Sequence, residues 1–214
     1  MRDRRIHFIL LMAMTPLVFC DVAAAQTSRA ESAKSYVERG NSWLEKGEVE
    51  RAIADFDLAI AFDSSAAIAY YHRGLARQRK GDLVGTLSDY NRAIELNPRY
   101  ADAYLNRGVV RYEQGEYEAA ISDFSKAIEI NPRDSRIWNN RGTARSDLGD
   151  LVSAIADFDR AIKLDSRNAR AWSNRCGTRY RLRKLDAAIG DCNRALKLDA
   201  HNAIAVCSCI APIS

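Results

Sequence analysis

The sequence predicts an all-α fold, a right-handed superhelical solenoid of antiparallel helix pairs. A pattern of 34 residues recurs five times without insertion or deletion. Each period holds two amphipathic segments joined by a short turn. A fixed period with two helices is typical of a repeat protein in which each unit packs on its neighbours.

The third period, residues 101–134, shows the pattern most clearly. Tyr104 and Tyr112 share one helical face, and Gly115 then interrupts the periodicity. A second apolar face follows at steps of three and four, which is the spacing of an amphipathic helix. It ends before Pro132, because proline disfavours helix in the residue that precedes it. The second face comprises Tyr117, Ala120, Ile121, Phe124, Ala127 and Ile128.

We number the periods repeats 1 to 5 and the residues of each repeat 1 to 34. Small residues at position 8 predict a close approach of the two helices, and a larger side chain at position 24 fills the remaining space. Position 8 holds Gly40, Gly74, Gly108, Gly142 and Cys176, and position 24 holds Phe56, Tyr90, Phe124, Phe158 and Cys192. The repeats span residues 33–66, 67–100, 101–134, 135–168 and 169–202.

This pattern resembles the tetratricopeptide repeat family, and the resemblance covers about 170 of the 214 residues. It implies a scaffold without catalytic activity that binds a protein or peptide ligand. It also implies that the first helices of the repeats line a concave groove, with positions 2, 5, 6, 9 and 13 facing the ligand. The candidate groove residues are Tyr71, His72, Asn106, Arg136, Asn139, Asn140, Arg170 and Asn174.

The candidate groove residues suggest how a peptide is held. Asn106, Asn140 and Asn174 form a ladder of amides at position 6, and an amide can pair with both a donor and an acceptor of an extended backbone. Arg136 and Arg170 suit carboxylates. The order Asn-Arg-Asn matches part of the carboxylate clamp of some family members, although the lysine and asparagine expected one repeat earlier are missing. Alternatively, the asparagines only cap and solvate helices.

Charged residues depart from the family pattern at two positions. Position 7 is arginine where the family usually has leucine, and position 23 is aspartate. Because an unpaired buried charge is costly, we expect each arginine to pair with an aspartate of its own repeat or of a neighbour. The alternative is that the arginines bind an acidic ligand. The residues are Arg39, Arg73, Arg107, Arg141 and Arg175, with Asp55, Asp89, Asp123, Asp157 and Asp191.

Repeat 5 carries cysteine at the two positions that should face each other across its hairpin. Cys176 stands where the other repeats have glycine, and Cys192 where they have an aromatic residue. An oxidising compartment would permit a disulfide between them. The alternative is a pair of buried thiols that fill a changed pocket.

The first 25 residues have the three parts of a secretory signal peptide. Three arginines in 1–5 precede an apolar run of 14 residues, 6–19, and Ala23-Ala24-Ala25 provides a cleavage site before Gln26. The run is too short for a membrane-spanning anchor, which needs about 20 apolar residues. We therefore expect a cleaved, periplasmic or secreted protein of bacterial exported type. The polar lead 26–32 is expected to be disordered.

The sequence gives little evidence of catalytic, metal-binding or nucleic-acid-binding residues. The net charge of +4 is small and spread along the repeats, unlike the basic surface of a nucleic-acid-binding protein. The three histidines lie far apart, and no zinc-binding or phosphate-binding motif occurs. We expect no catalytic residues, no metal, no cofactor, no nucleic-acid partner and no stable membrane insertion.

Residues 203–214 begin a sixth first helix that stops after about a third of a repeat. This partial capping helix and tail is apolar, so we expect its edge to form a homodimer or to bind a partner. The leading functional hypothesis is a scaffold that binds protein or peptide in the groove. The alternatives are a structural adaptor that assembles envelope complexes through its ends and convex face, and an accessory domain of an enzyme complex.

Overall fold

The computed structural model describes residues 16–199, with side chains from Ser28 onward except that of Ala30. This part of the chain contains ten helices and no strand, so the all-α repeat solenoid is confirmed. Each repeat is a pair of helices. The helices are α1 (Pro16–Glu45), α2 (Val49–Phe62), α3 (Ala67–Lys80), α4 (Leu83–Leu96), α5 (Ala101–Glu113), α6 (Tyr117–Ile130), α7 (Ser135–Leu148), α8 (Leu151–Leu164), α9 (Ala169–Arg181) and α10 (Leu185–Leu198).

The beginning of α1 differs from the sequence prediction. The helix starts at Pro16 and runs through the lead 26–32, which we expected to be disordered. Alanine, glutamine, glutamate and arginine in and around the lead are good helix formers. The Ser32 hydroxyl donates a hydrogen bond to the carbonyl of Ser28, one turn earlier. The lead therefore extends the first helix of repeat 1. The predicted tail at 203–214 lies outside the described residues.

The chain divides after Thr86 into two compact units. Unit 1 contains α1 to α3 and the first residues of α4. Its core lies between α1, α2 and α3, around Phe56. Unit 2 contains the rest of α4 and α5 to α10. Its largest core cluster surrounds Phe124, where Ile137 of the next repeat packs against the helix pair of repeat 3.

A glycine–aromatic contact sets the closeness of each helix pair. Gly108 of α5 lies against the ring of Phe124, and a Cβ added to Gly108 would come within 2.7 Å of that ring. The same contact joins Gly142 to Phe158, at 2.7 Å. Such distances leave no room for a side chain, so glycine is required at position 8 wherever phenylalanine occupies position 24.

Repeat 5 replaces this contact with a covalent bond. Cys176 and Cys192 form a disulfide, with 5.5 Å between their Cα atoms. Both residues are buried. This Cα–Cα separation lies within the usual range for a disulfide, roughly 4.4–6.8 Å. The bond joins α9 to α10 at the place where glycine and phenylalanine touch in other repeats.

The predicted arginine–aspartate pairs are present within repeats. Arg141 donates to Asp157 from Nε at 2.9 Å and from Nη2 at 2.7 Å. Arg145, at position 11, donates to the same carboxylate at 2.8 Å. Asp157 is buried, so two cations and a fork of hydrogen bonds compensate its charge. The equivalent pairs in the other repeats with described contacts are Arg39–Asp55, Arg107–Asp123 and Arg175–Asp191.

The same arginines also join neighbouring repeats. In repeats 2 to 5, Nη1 of the position-7 arginine donates to the residue at position 25 of the preceding repeat. The guanidinium also stacks on an aromatic ring at position 4. Arg141, for example, lies 4.9 Å from the centre of the Trp138 ring. We call this arrangement the inter-repeat lock. Its pairs are Arg73–Asp57, Arg107–Asn91, Arg141–Ser125 and Arg175–Asp159. The predicted pairing of the position-7 arginine with the position-23 aspartate is thus found within repeats, whereas the contact across to the preceding repeat is made to position 25.

Candidate functional site

The first helices of repeats 3, 4 and 5 enclose an open cavity of about 310 Å³ in unit 2. Its apolar floor includes Val109 and the ring of Phe124. Asn140 and Arg170 supply an amide and a cation at its wall. The combination of an apolar floor with a few polar groups is typical of ligand-binding clefts. The lining residues are Val109, Tyr112, Glu113, Phe124, Asn140, Thr143 and Arg170.

A second cavity of about 220 Å³ lies between the first helices of repeats 4 and 5. It shares Thr143 with the first cavity, so the two are neighbours on one surface. Arg181 is fixed at its edge, because its Nη1 donates to the carbonyl of Ser146 at 2.7 Å. The lining residues are Thr143, Ser146, Asp147, Phe158, Asn174, Gly177, Thr178 and Arg181. We call the two cavities together the repeat 3–5 surface.

Tyr112 is held in place on the repeat 3–5 surface by a residue of the next repeat. Its hydroxyl donates a hydrogen bond to Asp147 Oδ2 at 2.6 Å. Burial raises the pKa of the Tyr112 phenol above its ordinary value, and the hydrogen bond to Asp147 raises it further. The phenol therefore stays protonated at neutral pH and orients the ring at the first cavity.

The predicted amide ladder is partly used inside the protein. Asn174 Nδ2 donates to Asn139 Oδ1 and to Thr143 Oγ1, each at 3.1 Å. Asn139 is only 8% exposed. Its amide therefore supports the surface from beneath and is not presented to a ligand as we expected. The reason is that residues of adjacent first helices come within hydrogen-bonding distance of each other.

Asn140 and Arg170 are the predicted groove residues that line the first cavity. Asn140 is half-buried and Arg170 is exposed. Arg136 lies instead in an ion pair with Asp134, at 2.6 Å, and its side chain is 66% exposed. Its hydrogen bonds fix the start of α7, where Asp134 caps the helix. Asn106 is half-buried on α5.

Unit 1 contains the other two candidates, on α3. Tyr71 meets His72 edge to face, with ring centres 5.2 Å apart. His72 in turn stacks on Phe56 at 5.8 Å. Burial lowers the pKa of His72 below its ordinary value, so the ring is neutral at pH 7. His72 of repeat 2 therefore packs against the core of repeat 1.

Unit 1 also has an apolar cavity of its own, of about 380 Å³. It lies beside α1, and its lining includes Val37 and Ile68. Lys34 and Ile68 occupy position 2 and Val37 occupies position 5, positions that the family resemblance assigns to the groove. The lining residues are Ala33, Lys34, Val37, Glu38, Asn41, Asp63, Ala66 and Ile68.

Several residues of the repeat 3–5 surface were not among the sequence candidates. Thr143, Glu113 and Arg181 occupy positions 9 and 13, which the resemblance had assigned to the groove, so their position could have identified them. Tyr112 and Thr178 occupy other positions, and only their contacts across repeats reveal them. Within the described residues, no cluster of histidine, cysteine and acidic side chains is arranged to hold a metal ion.

Family comparisons identify the repeats. A family model described as tetratricopeptide repeat matches residues 101–134 and 135–168. A second, described as TPR repeat, matches residues 40–81 and 80–115. The first two matches coincide with the predicted bounds of repeats 3 and 4. No curated protein sequence gives a significant match.

Solved structures share the fold at low sequence identity. One is the Pseudomonas aeruginosa PilF structure, with a TM-score of 0.73 and 22% identity over 80% of this chain and 78% of that one. Another is YrrB, described as a TPR protein with an unusual peptide-binding site. It has a TM-score of 0.71 and 24% identity over 87% of this chain and 96% of its own. MamA from Desulfovibrio magneticus RS-1 gives 0.72 and 19%, over 79% and 96%. These likenesses establish the fold alone.

Proposed function

We propose that this chain, whose residues 40–168 are tetratricopeptide repeats, is a non-catalytic scaffold that binds an extended segment of a partner protein. The observation that carries the proposal is the repeat 3–5 surface, where two neighbouring cavities share Thr143. Adjacent cavities of this kind suit successive side chains of one extended peptide.

The residues of the first cavity define the peptide that it suits. Val109 and Phe124 offer apolar contact to one side chain. Arg170 is exposed beside Asn140, and a guanidinium with a neighbouring amide favours a carboxylate. We therefore propose a ligand with an apolar residue next to an acidic residue or a C-terminal carboxylate.

The second cavity adds a polar subsite. The hydroxyl groups of Thr178 and Ser146 are hydrogen-bonded, with their oxygens 3.1 Å apart. Arg181 lies at the edge of the cavity and donates to the carbonyl of Ser146. Because these groups are already oriented by hydrogen bonds, little conformational entropy is lost when a ligand binds. A polar side chain of the ligand fits here.

Selection from a random peptide library tests this proposal. The library is selected on the wild-type protein, and the affinity of the enriched peptides is measured by fluorescence anisotropy. We expect Arg170→Glu to weaken binding on the order of tenfold or more, because it reverses a charge at the ligand. Val109→Asp should weaken binding similarly, by placing a charge on the apolar floor.

A matched control separates the site from general charge effects. Arg194 is an exposed arginine of α10, outside both cavities, and Arg194→Glu makes the same charge change. It should leave peptide affinity unchanged. Peptides that bind Arg170→Glu and wild type equally would contradict the proposed surface, and failure to enrich any peptide would contradict peptide binding.

Export is the second part of the proposal. The signal-like segment 1–25 supports cleavage after Ala25 and a periplasmic or secreted protein. Among the described residues, no helix is long and apolar enough to cross a membrane. Amino-terminal sequencing of protein recovered from the culture medium or periplasm should begin at Gln26. A mature protein that begins at Met1 would contradict export by this route.

A further inference from the structure

The inter-repeat lock has an unused donor in repeat 1. In repeats 2 to 5, Nη1 of the position-7 arginine donates to position 25 of the preceding repeat, as Arg107 does to Asn91 at 2.7 Å. Arg39 makes the contact within its own repeat, because it donates to Asp55 from Nε at 2.7 Å and from Nη2 at 2.6 Å. Its Nη1 has no acceptor among the described residues.

The exposed fraction of its side chain also distinguishes Arg39 from the equivalent arginines of repeats 2 to 5. Its side chain is 57% exposed. The four equivalent arginines are between 11% and 15% exposed, because a preceding repeat covers them. Tyr36 stacks on Arg39 with 5.0 Å to the ring centre, as position-4 aromatics do elsewhere. Around Arg39, α1 is therefore built like a covered inter-repeat face but is exposed among the described residues.

On α10 of repeat 5, described residues of the opposite face are exposed. Asn193 stands at position 25, is exposed, and has no donor among the described residues. Asparagine is a competent acceptor there, because Asn91 accepts from Arg107 in the lock of repeats 2 and 3. Leu185 is 47% exposed and Ile189 40% exposed. The counterparts of Leu185 and Ile189 in repeats 3 and 4 are half-buried: Tyr117, Ile121, Leu151 and Ile155.

We propose that two molecules of this protein associate head to tail, with α10 of one molecule packed on α1 of the next and Arg39 Nη1 donating to Asn193 Oδ1. The contact reproduces the inter-repeat lock between molecules. Ser35 and Ser42 of α1 stand at positions 3 and 10, where Ala69 and Ala76 pack on α2, and serine is small enough for the same approach. The two faces differ, so the contact is heterologous.

Substitution of Asn193 in the full-length protein tests the contact without touching the intrarepeat pair of Arg39 and Asp55. Asn193→Asp copies the acidic acceptor that Asp57 and Asp159 provide in two of the internal locks. It should raise the association constant roughly two- to fivefold. Asn193→Arg opposes Arg39 with a like charge and should abolish association. Analytical ultracentrifugation over a range of protein concentrations measures both.

Asn131→Arg is the matched control, since Asn131 is an exposed asparagine at the end of α6 and the charge change is the same. It should associate like wild type. A wild-type protein that stays monomeric at all concentrations overturns the proposal. Association of Asn193→Arg equal to that of wild type also overturns it, because the interface then lies elsewhere. Because both substituted asparagines are exposed, circular dichroism should show the same helix content in every variant.

Discussion

Arg107 donates two hydrogen bonds to the carboxylate of Asp123, from Nε at 2.9 Å and from Nη2 at 2.6 Å. Arg111 adds a third to the same carboxylate at 2.8 Å. The Asp123 side chain is only 3% exposed, and that of Arg107 is 14% exposed. This is a half-buried charge network that ties α5 to α6, so its energetic role differs from that of an ion pair on the surface.

The first prediction concerns the coupling between Arg107 and Asp123. We expect Asp123→Ala to lower the free energy of unfolding by about 3–5 kcal/mol, because two guanidinium groups lose their partner. In a double-mutant cycle with Arg107→Ala, the coupling energy should exceed about 1 kcal/mol. Urea denaturation of the wild type, both single variants and the double variant measures it.

The exposed pair Lys126–Glu129 of α6 serves as the comparison for this cycle. Its two atoms lie 2.8 Å apart, but both side chains are more than half exposed. The corresponding cycle should give no more than about 0.5 kcal/mol. Additive losses at Arg107 and Asp123 would show that the buried pair contributes no more than the solvent-exposed one.

The second prediction concerns the glycine–phenylalanine contact. Gly108→Ala places a methyl group where the Phe124 ring lies, at 2.7 Å from the added Cβ, and should destabilise the protein by about 1–3 kcal/mol. Gly190→Ala on α10 is the matched control, because an added Cβ meets nothing within 4 Å. It should stabilise by a few tenths of a kcal/mol, up to about 1. Thermal denaturation of both variants decides; equal effects would contradict the packing argument.

The sequence predicted these contacts to different degrees. Arg107 and Asp123 were predictable because both charges recur at positions 7 and 23 within an otherwise apolar pattern. The second cation, Arg111, was not among the predicted partners of Asp123. The exposed or internal state of Asn139 could not be read from the sequence either. It depends on Asn174, which lies 35 residues away and comes close only when repeats stack.

The beginning of α1 illustrates a different limit of the sequence. A polar segment without an apolar face gives no periodic signal, so the lead 26–32 was expected to be disordered. Local helix propensity and continuity with the first helix of repeat 1 extend the helix back to Pro16. Helix propensity leaves no periodic pattern in the sequence, so hydrophobic periodicity alone does not indicate this helix.

The third prediction concerns the disulfide. Replacing Cys176 and Cys192 by serine removes a link that closes a loop of about 15 residues and should cost roughly 3 kcal/mol. Cys176→Gly together with Cys192→Phe restores the pair found in repeats 1, 3 and 4, so part of that loss should be recovered. Reductant should lower the melting temperature of the wild type and leave both double variants unchanged. Free thiols at both sites in non-reduced protein would contradict the link.

The fourth prediction concerns pH. Burial holds the pKa of His72 below its ordinary 6.5, so the folded protein binds this proton more weakly than the unfolded chain. The contribution of His72 to stability is therefore complete above pH 6.5 and is lost as pH falls from there through the folded pKa. His72→Gln should reduce the loss of unfolding free energy between pH 7.5 and 5.5. An unchanged pH dependence would mean that the ring is protonated as easily in the folded state.

The last prediction concerns Arg183, which lies in the turn after α9 and has a backbone φ of +59°. The equivalent turns of the other repeats use Gly47, Gly81, Gly115 and Gly149, all with positive φ. A residue with a Cβ pays about 1–2 kcal/mol in the left-handed region, while glycine loses roughly 0.5–1 kcal/mol more chain entropy on folding. Arg183→Gly should therefore stabilise the protein by about 0.5–1 kcal/mol. Urea denaturation should show a higher midpoint with an unchanged slope, and Arg183→Ala, which removes the charge but keeps the Cβ, should show no such gain. Equal stabilisation by glycine and alanine would assign the effect to the lost charge instead of the backbone.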